Sequence, residues 1–311
     1  MTPFSLTPVP PSVLLLIAGL FLTGPARPAQ LPARFDRASC FPFETLPPAL
    51  KTRAETLLLR ALDGEALYSI AADIKPMSSG VASARVSVKA PDLTEVEELR
   101  RILRTWTCGD ELSAHLHHFA NVYNDARPLE VMVINRRAFG RTLDVSAAFF
   151  GPYGLSASSD PMEAILAVEY DRSPARFRGY GLLFGYPAHA VDFFVDAARS
   201  QAETGSFVER DFISLPTVLG KGHFVYAVPK GHMEVEADRA LRARVGPVFA
   251  DYQARRARHI RGDSAEGVLD LIREWFDDGS GLVRPSNLWD RVEAAGSPGR
   301  AAGPIALPGG Q

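Results

Sequence analysis

The stretch Ala82–Trp106, ASARVSVKAPDLTEVEELRRILRTW, passes from one structural period to another. Ala82, Ala84, Val86 and Val88 alternate with Ser83, Arg85, Ser87 and Lys89, the period-two pattern of a half-buried strand. Beyond Pro91 the spacing changes. Leu93, Val96, Leu99, Leu103 and Trp106 recur at helical intervals, and Thr94 with Glu97 matches a capping box.

Toward the N-terminus, Pro47-Pro48 opens a helical stretch over 49–72, with Leu50, Ala54, Leu57, Leu58, Ala61 and Leu62 on its apolar face. Lys75-Pro76 stops it, because a residue before proline avoids the helical region. Toward the C-terminus, Leu129, Val131 and Val133 read as a strand, followed by a helix over 136–150 that Gly151 ends. Asp160, Pro161 and Glu163 supply an N-cap, a first-turn proline and a capping acid for another helix. A helix over 188–204, stopped by Gly205, precedes short strands at 212–213 and 224–228. Two further helices follow, one interrupted at Gly246-Pro247 and one over 264–276. Helices outnumber strands, and strands do not strictly alternate with helices. The expected fold is therefore α+β, a small, mostly antiparallel sheet covered by several helices in a single globular domain at 49–284.

The flanks read differently. Residues 1–26 match a cleavable signal: the apolar run Val13–Leu22 is too short to span a membrane, and Gly24 and Ala26 occupy the minus-three and minus-one positions. Ala29 offers a second cleavage point. The n-region carries no Lys or Arg, since Arg27 is the first charged side chain. Residues 27–48 read as a Pro-containing connector, and the Pro-, Gly- and Ala-rich residues 285–311 as a disordered tail. The expected protein is exported, periplasmic or secreted, with no transmembrane segment after signal cleavage. An oxidising compartment lets the two cysteines, Cys40 and Cys108, pair.

Several clusters bear chemistry. Asp110-Glu111-Leu-Ser-Ala-His115-Leu-His117-His118 contains ligands suited to zinc or another divalent metal. In a helix Glu111, His115 and His118 share a face, whereas in a strand His115 and His117 do. No His-Glu-x-x-His motif occurs, and a solvated segment that binds nothing explains the stretch equally well. The glycines of Gly179–Pro187 suggest a turn before a helix, either an anion cradle or a place of close backbone packing. His189 and Asp192 lie three apart on the next helix, where an Asp can orient a basic His, and His232 joins Lys221, His223 and Lys230 in a cationic cluster. His189, Asp192 and His232 are the catalytic candidates. Asp63 and Glu65 form a possible carboxylate pair, expected to be solvated.

The chain of 311 residues is 46% hydrophobic, with a formal net charge of −2, which argues against a general nucleic-acid binder. Between Arg239 and Arg261 there are seven arginines and one aspartate, but Asp263–Asp278 contains six acids and one arginine. Helices of opposite charge pair across a hairpin, so no nucleic-acid partner is expected. Asp63–Tyr68 with Lys75–Gly80, and Gly179–Phe194, resemble an uncharacterised family of predicted exported bacterial proteins with no attached activity. That resemblance implies export and no particular chemistry. The expected role is binding of a small ligand or protein partner. The alternative is a metal-dependent hydrolase using Glu111 and the histidines at 115–118.

Overall fold

The computed structural model describes residues 35–277 and 279–296. The expected signal segment, 1–26, and the connector up to residue 34 lie outside the described residues, as does the last part of the expected tail, 297–311.

The chain begins with β1 (Phe35–Asp36), then α1 (Pro48–Asp63) and α2 (Leu67–Ile70). β2 (Met77–Ser78) and β3 (Ser83–Ser87) precede α3 (Thr94–Leu103). β4 (Leu112–His118) and β5 (Ala126–Asn135) lead into α4 (Arg136–Val145) and α5 (Ala147–Phe150). Three helices follow, α6 (Pro161–Tyr170), α7 (Ala175–Leu183) and α8 (Ala188–Thr204). The hairpin β6 (Arg210–Leu215) and β7 (Phe224–Pro229) precedes α9 (Glu236–His259) and α10 (Val268–Phe276), and β8 (Leu282–Val283) leads to α11 (Pro285–Gly296). The fold is α+β, as the sequence pattern implies.

β5 organises the main sheet. β4 pairs antiparallel along one edge, with His117 opposite Glu130 and Leu112 opposite Asn135. β2 and β3 share the other edge in succession, broken at Gly80, whose φ of +77° favours glycine. Alternation along β5 divides the interior. Leu129, Val131 and Val133 enter one apolar cluster with Ala84, Leu112, Leu116 and Trp106, whereas Met132 and Ile134 enter another with Phe139, Phe150, Ile165 and Leu183. Both faces are thus covered by helices, which is why β5 is apolar on both sides.

The structure settles the open readings and corrects several others. In the segment 110–123, open between helix and strand, Leu112–His118 form β4, because the long apolar β5 supplies a pairing edge for all seven residues of that strand. Part of the described connector enters the core. Phe41 and Phe43 are buried against Trp106, and Arg273 donates to the carbonyls of Cys40 and Phe41 while pairing with Glu44. Residues 285–296 of the expected disordered tail form α11, since Leu288 and Trp289 bury there and the Trp289 indole N–H donates to the Ile70 carbonyl at 3.1 Å. α9 runs unbroken through Gly246-Pro247; Gly246 has no Cβ to crowd the proline ring, and Leu241, Val245, Val248 and Tyr252 carry the buried stripe across it. The Gly-rich link lies largely within α7. A Cβ on Gly179 would come within 2.5 Å of Val168, and one on Gly181 within 2.7 Å of Val191, so these glycines let α7 approach α6 and α8.

Cys40 and Cys108 form a disulfide, both fully buried. It ties the segment before α1 to the approach to β4. No helix among the described residues is long and apolar enough to cross a membrane.

Candidate functional site

Three elements bring polar groups together at one end of the β6–β7 hairpin. α8 begins after Pro187, whose extended backbone turns the chain, and this places His189 in the first turn. Tyr226 lies on β7. The strand then ends at Pro229, and a turn with Gly231 at φ +76° and the His232 N–H bonded to the Pro229 carbonyl sets His232 back toward the sheet. Asp238 occupies the third position of α9, where its Oδ2 accepts from the Val235 N–H at 3.0 Å and caps the helix.

The carboxylate of Asp238 is the hub. Tyr226 Oη donates to Oδ1 at 2.6 Å, and His232 Nε2 lies 2.9 Å from Oδ2. His189 Nε2 lies 3.2 Å from Oδ1. That nitrogen is buried yet makes no aligned hydrogen bond among the described residues. The two imidazole rings are nearly parallel, 10° apart in plane with centroids 5.2 Å apart. Burial by itself would raise the Asp238 pKa. The hydrogen bonds from Tyr226, His232 and the Val235 N–H outweigh it and hold the carboxyl at about 2. Tyr226 is pushed above the usual phenol range, first by burial and then by the carboxylate it serves.

Tyr226 also lines an apolar pocket of about 290 Å³ between α7, α8 and the hairpin. Phe184, Tyr186, Val191, Phe194 and Phe212 form much of its wall. Phe212 is 63% exposed and Phe194 36%, so aromatic surface stands open at its mouth. Behind the wall Lys75 is buried, 3.1 Å from Glu65 and beneath the rings of Phe224, Tyr186 and Phe184 at 4.2, 5.0 and 5.4 Å. Burial lowers its pKa against the opposing pull of Glu65.

The sequence candidates scatter or gather accordingly. β4 puts His115 and His117 on one face of the sheet and His118 on the other. His115 faces Ser113 at 3.2 Å, and His118 lies beside Arg100 at 3.4 Å. His117 is fully buried, 3.1 Å from the Tyr180 hydroxyl, which donates to Glu169. Burial lowers the pKa of all three histidines. Glu111 accepts from the Ser286 N–H. These four residues are not brought together as a metal set. Asp192 pairs with Arg178 at 2.6 Å rather than with His189. His189 and His232, by contrast, converge, and the residue that joins them is Asp238.

Asp63 and Glu65 are buried rather than solvated. Asp63 accepts from Tyr252 and Arg256, and Glu65 pairs with Lys75. Asp238 and Tyr226 escape sequence reasoning, although an acid at the third position of a helix, six residues after His232, is a readable capping signal. No family model, no curated protein and no solved structure matches the chain.

Proposed function

We propose that this is an exported protein, periplasmic or secreted, that binds a small ligand whose apolar body fills the pocket between α7, α8 and the β6–β7 hairpin. The observation that carries this reading is Tyr226, which lines the apolar wall while its hydroxyl reaches Asp238. Apolar pockets with a few convergent polar groups are the usual form of small-molecule sites. The disulfide supports export, since such bridges persist in oxidising compartments. Nucleic acid is not among the proposed partners. Arg255 of α9 pairs with Glu274, Arg256 with Asp63, and Arg242 with Glu234, so much of the arginine-rich helix is already neutralised.

The probe is 1-anilinonaphthalene-8-sulfonate, an aromatic anion whose fluorescence rises on apolar binding. Wild-type protein should bind it saturably. The double variant Phe194→Ala/Phe212→Ala removes exposed pocket-mouth rings without opening the core, and affinity should fall about tenfold, the equivalent of roughly 1.4 kcal/mol of lost apolar contact. Absence of saturable binding to wild type, or equal affinity in the folded double variant, would overturn the proposal.

A further inference from the structure

We propose that His189, His232 and Asp238 bind a divalent cation of the zinc class. Each residue offers one ligand atom, and these atoms all lie within 4.8 Å of one another. They come from α8, the turn after β7 and α9, so the cluster is a tertiary product and not a local run of polar residues. His189 Nε2 stands 3.2 Å from Oδ1 and His232 Nε2 2.9 Å from Oδ2, so the two imidazoles flank the two oxygens of one carboxylate, within reach of a cation whose metal–ligand bonds are about 2.0–2.2 Å.

A second, independent observation points to a ligand. His189 Nε2 is buried and faces Asp238 Oδ1, yet no aligned hydrogen bond joins them among the described residues. Unpaired buried polar atoms are costly, and a cation between the two groups would use both lone pairs. The donor set selects the ion. Two imidazole nitrogens and one carboxylate suit zinc or another late first-row metal, whereas calcium and magnesium prefer oxygen ligands. The surroundings also match those of metal-binding carboxylates: Tyr226 Oη and the Val235 N–H orient Asp238 from outside, as outer-shell partners do. Three protein ligands leave a fourth position for water or a ligand group, the arrangement of catalytic rather than closed structural zinc sites. The competing account is a direct His232–Asp238 hydrogen bond with no metal between them.

The inference is independent of the apolar-ligand reading, and its test separates the two. Full-length protein, dialysed against chelator, is titrated with zinc in competition with a chromophoric chelator, and cobalt(II) is titrated in parallel by visible absorption. Wild type should take up a single equivalent of zinc and develop the d–d bands of low-symmetry cobalt. His189 is only partly buried, so His189→Ala should fold and lose zinc affinity by more than the roughly 10–100-fold typical of outer-shell losses. His232→Ala should do the same, and Tyr226→Phe should weaken binding within that range. Phe194→Ala/Phe212→Ala and His115→Ala should bind zinc as wild type does, even if the first loses the fluorescent probe. No stoichiometric zinc uptake by wild type, or wild-type affinity in folded His189→Ala, would overturn the proposal.

Discussion

Trp289→Ala tests whether α11 belongs to the fold. The indole is fully buried in the main apolar cluster, and its N–H donates to the Ile70 carbonyl of α2, 219 positions away in sequence. Truncating a buried tryptophan to alanine costs about 3–5 kcal/mol, through lost apolar transfer and the cavity left behind. Removing the donor leaves the Ile70 carbonyl short of a partner, a penalty of about 1–3 kcal/mol. The two overlap, and a total of about 4–6 kcal/mol is expected, against a total stability of about 5–15 kcal/mol for a domain. At about 2–4 °C per kcal/mol for a chain of this size, the melting temperature should fall by about 10–20 °C. Trp289→Phe keeps most of the buried ring and loses the hydrogen bond, so its loss should be roughly 1–3 kcal/mol. Urea denaturation followed by circular dichroism gives both values. If Trp289→Ala unfolds at the wild-type midpoint, the terminal helix does not dock and its residues belong with the tail.

Two other outcomes are expected. Intact-mass analysis after alkylation without reductant should find no labelled thiol, and Cys40→Ser/Cys108→Ser should cost about 4 kcal/mol, the chain-entropy value for a loop closed across 68 residues; two labelled thiols in the wild type would contradict the bridge. Asp238 also ties stability to acidity. Its folded pKa lies below the ordinary aspartate value, so its contribution is full above about pH 4 and disappears as pH falls toward 2. Tyr226→Phe removes one of the hydrogen bonds that hold that pKa down, and the acid limb of the stability profile should move to higher pH. An unchanged acid limb would show that Tyr226 does not set it.

The fold class and the disulfide were legible because both follow from pattern: two periods in adjacent segments, and two cysteines in a chain whose first residues read as an export signal. β4 was not, because Leu112-Ser-Ala-His-Leu-His-His118 places its apolar residues compatibly with either period. The choice was made by β5, a partner distant enough that no local window contains it. α11 was hidden by composition. The Pro-, Gly- and Ala-rich residues beyond 296 dilute Leu288 and Trp289 in any averaged reading of the terminal region. The candidate site was half legible. His189 and His232 stand out in the sequence as ionisable residues near turns, but spacing alone makes Asp192 the partner of His189. Its position along α8 carries it to Arg178 instead, and the joining carboxylate comes from another helix.

The described chain closes on itself from its two ends. β1 pairs with β8, Arg273 holds the carbonyls of Cys40 and Phe41, and Trp289 reaches Ile70. Synthesis runs from the N-terminus, so the segment around Cys40 waits for more than two hundred residues before its clamp exists. Long-range closures of this kind slow folding and discourage early completion. A nascent chain of this sequence therefore lacks a finished core until α10 and α11 have emerged, and it stays threadable for most of its synthesis. Chains truncated before Arg273 should remain protease-sensitive on the ribosome, while the complete chain becomes resistant in one late step.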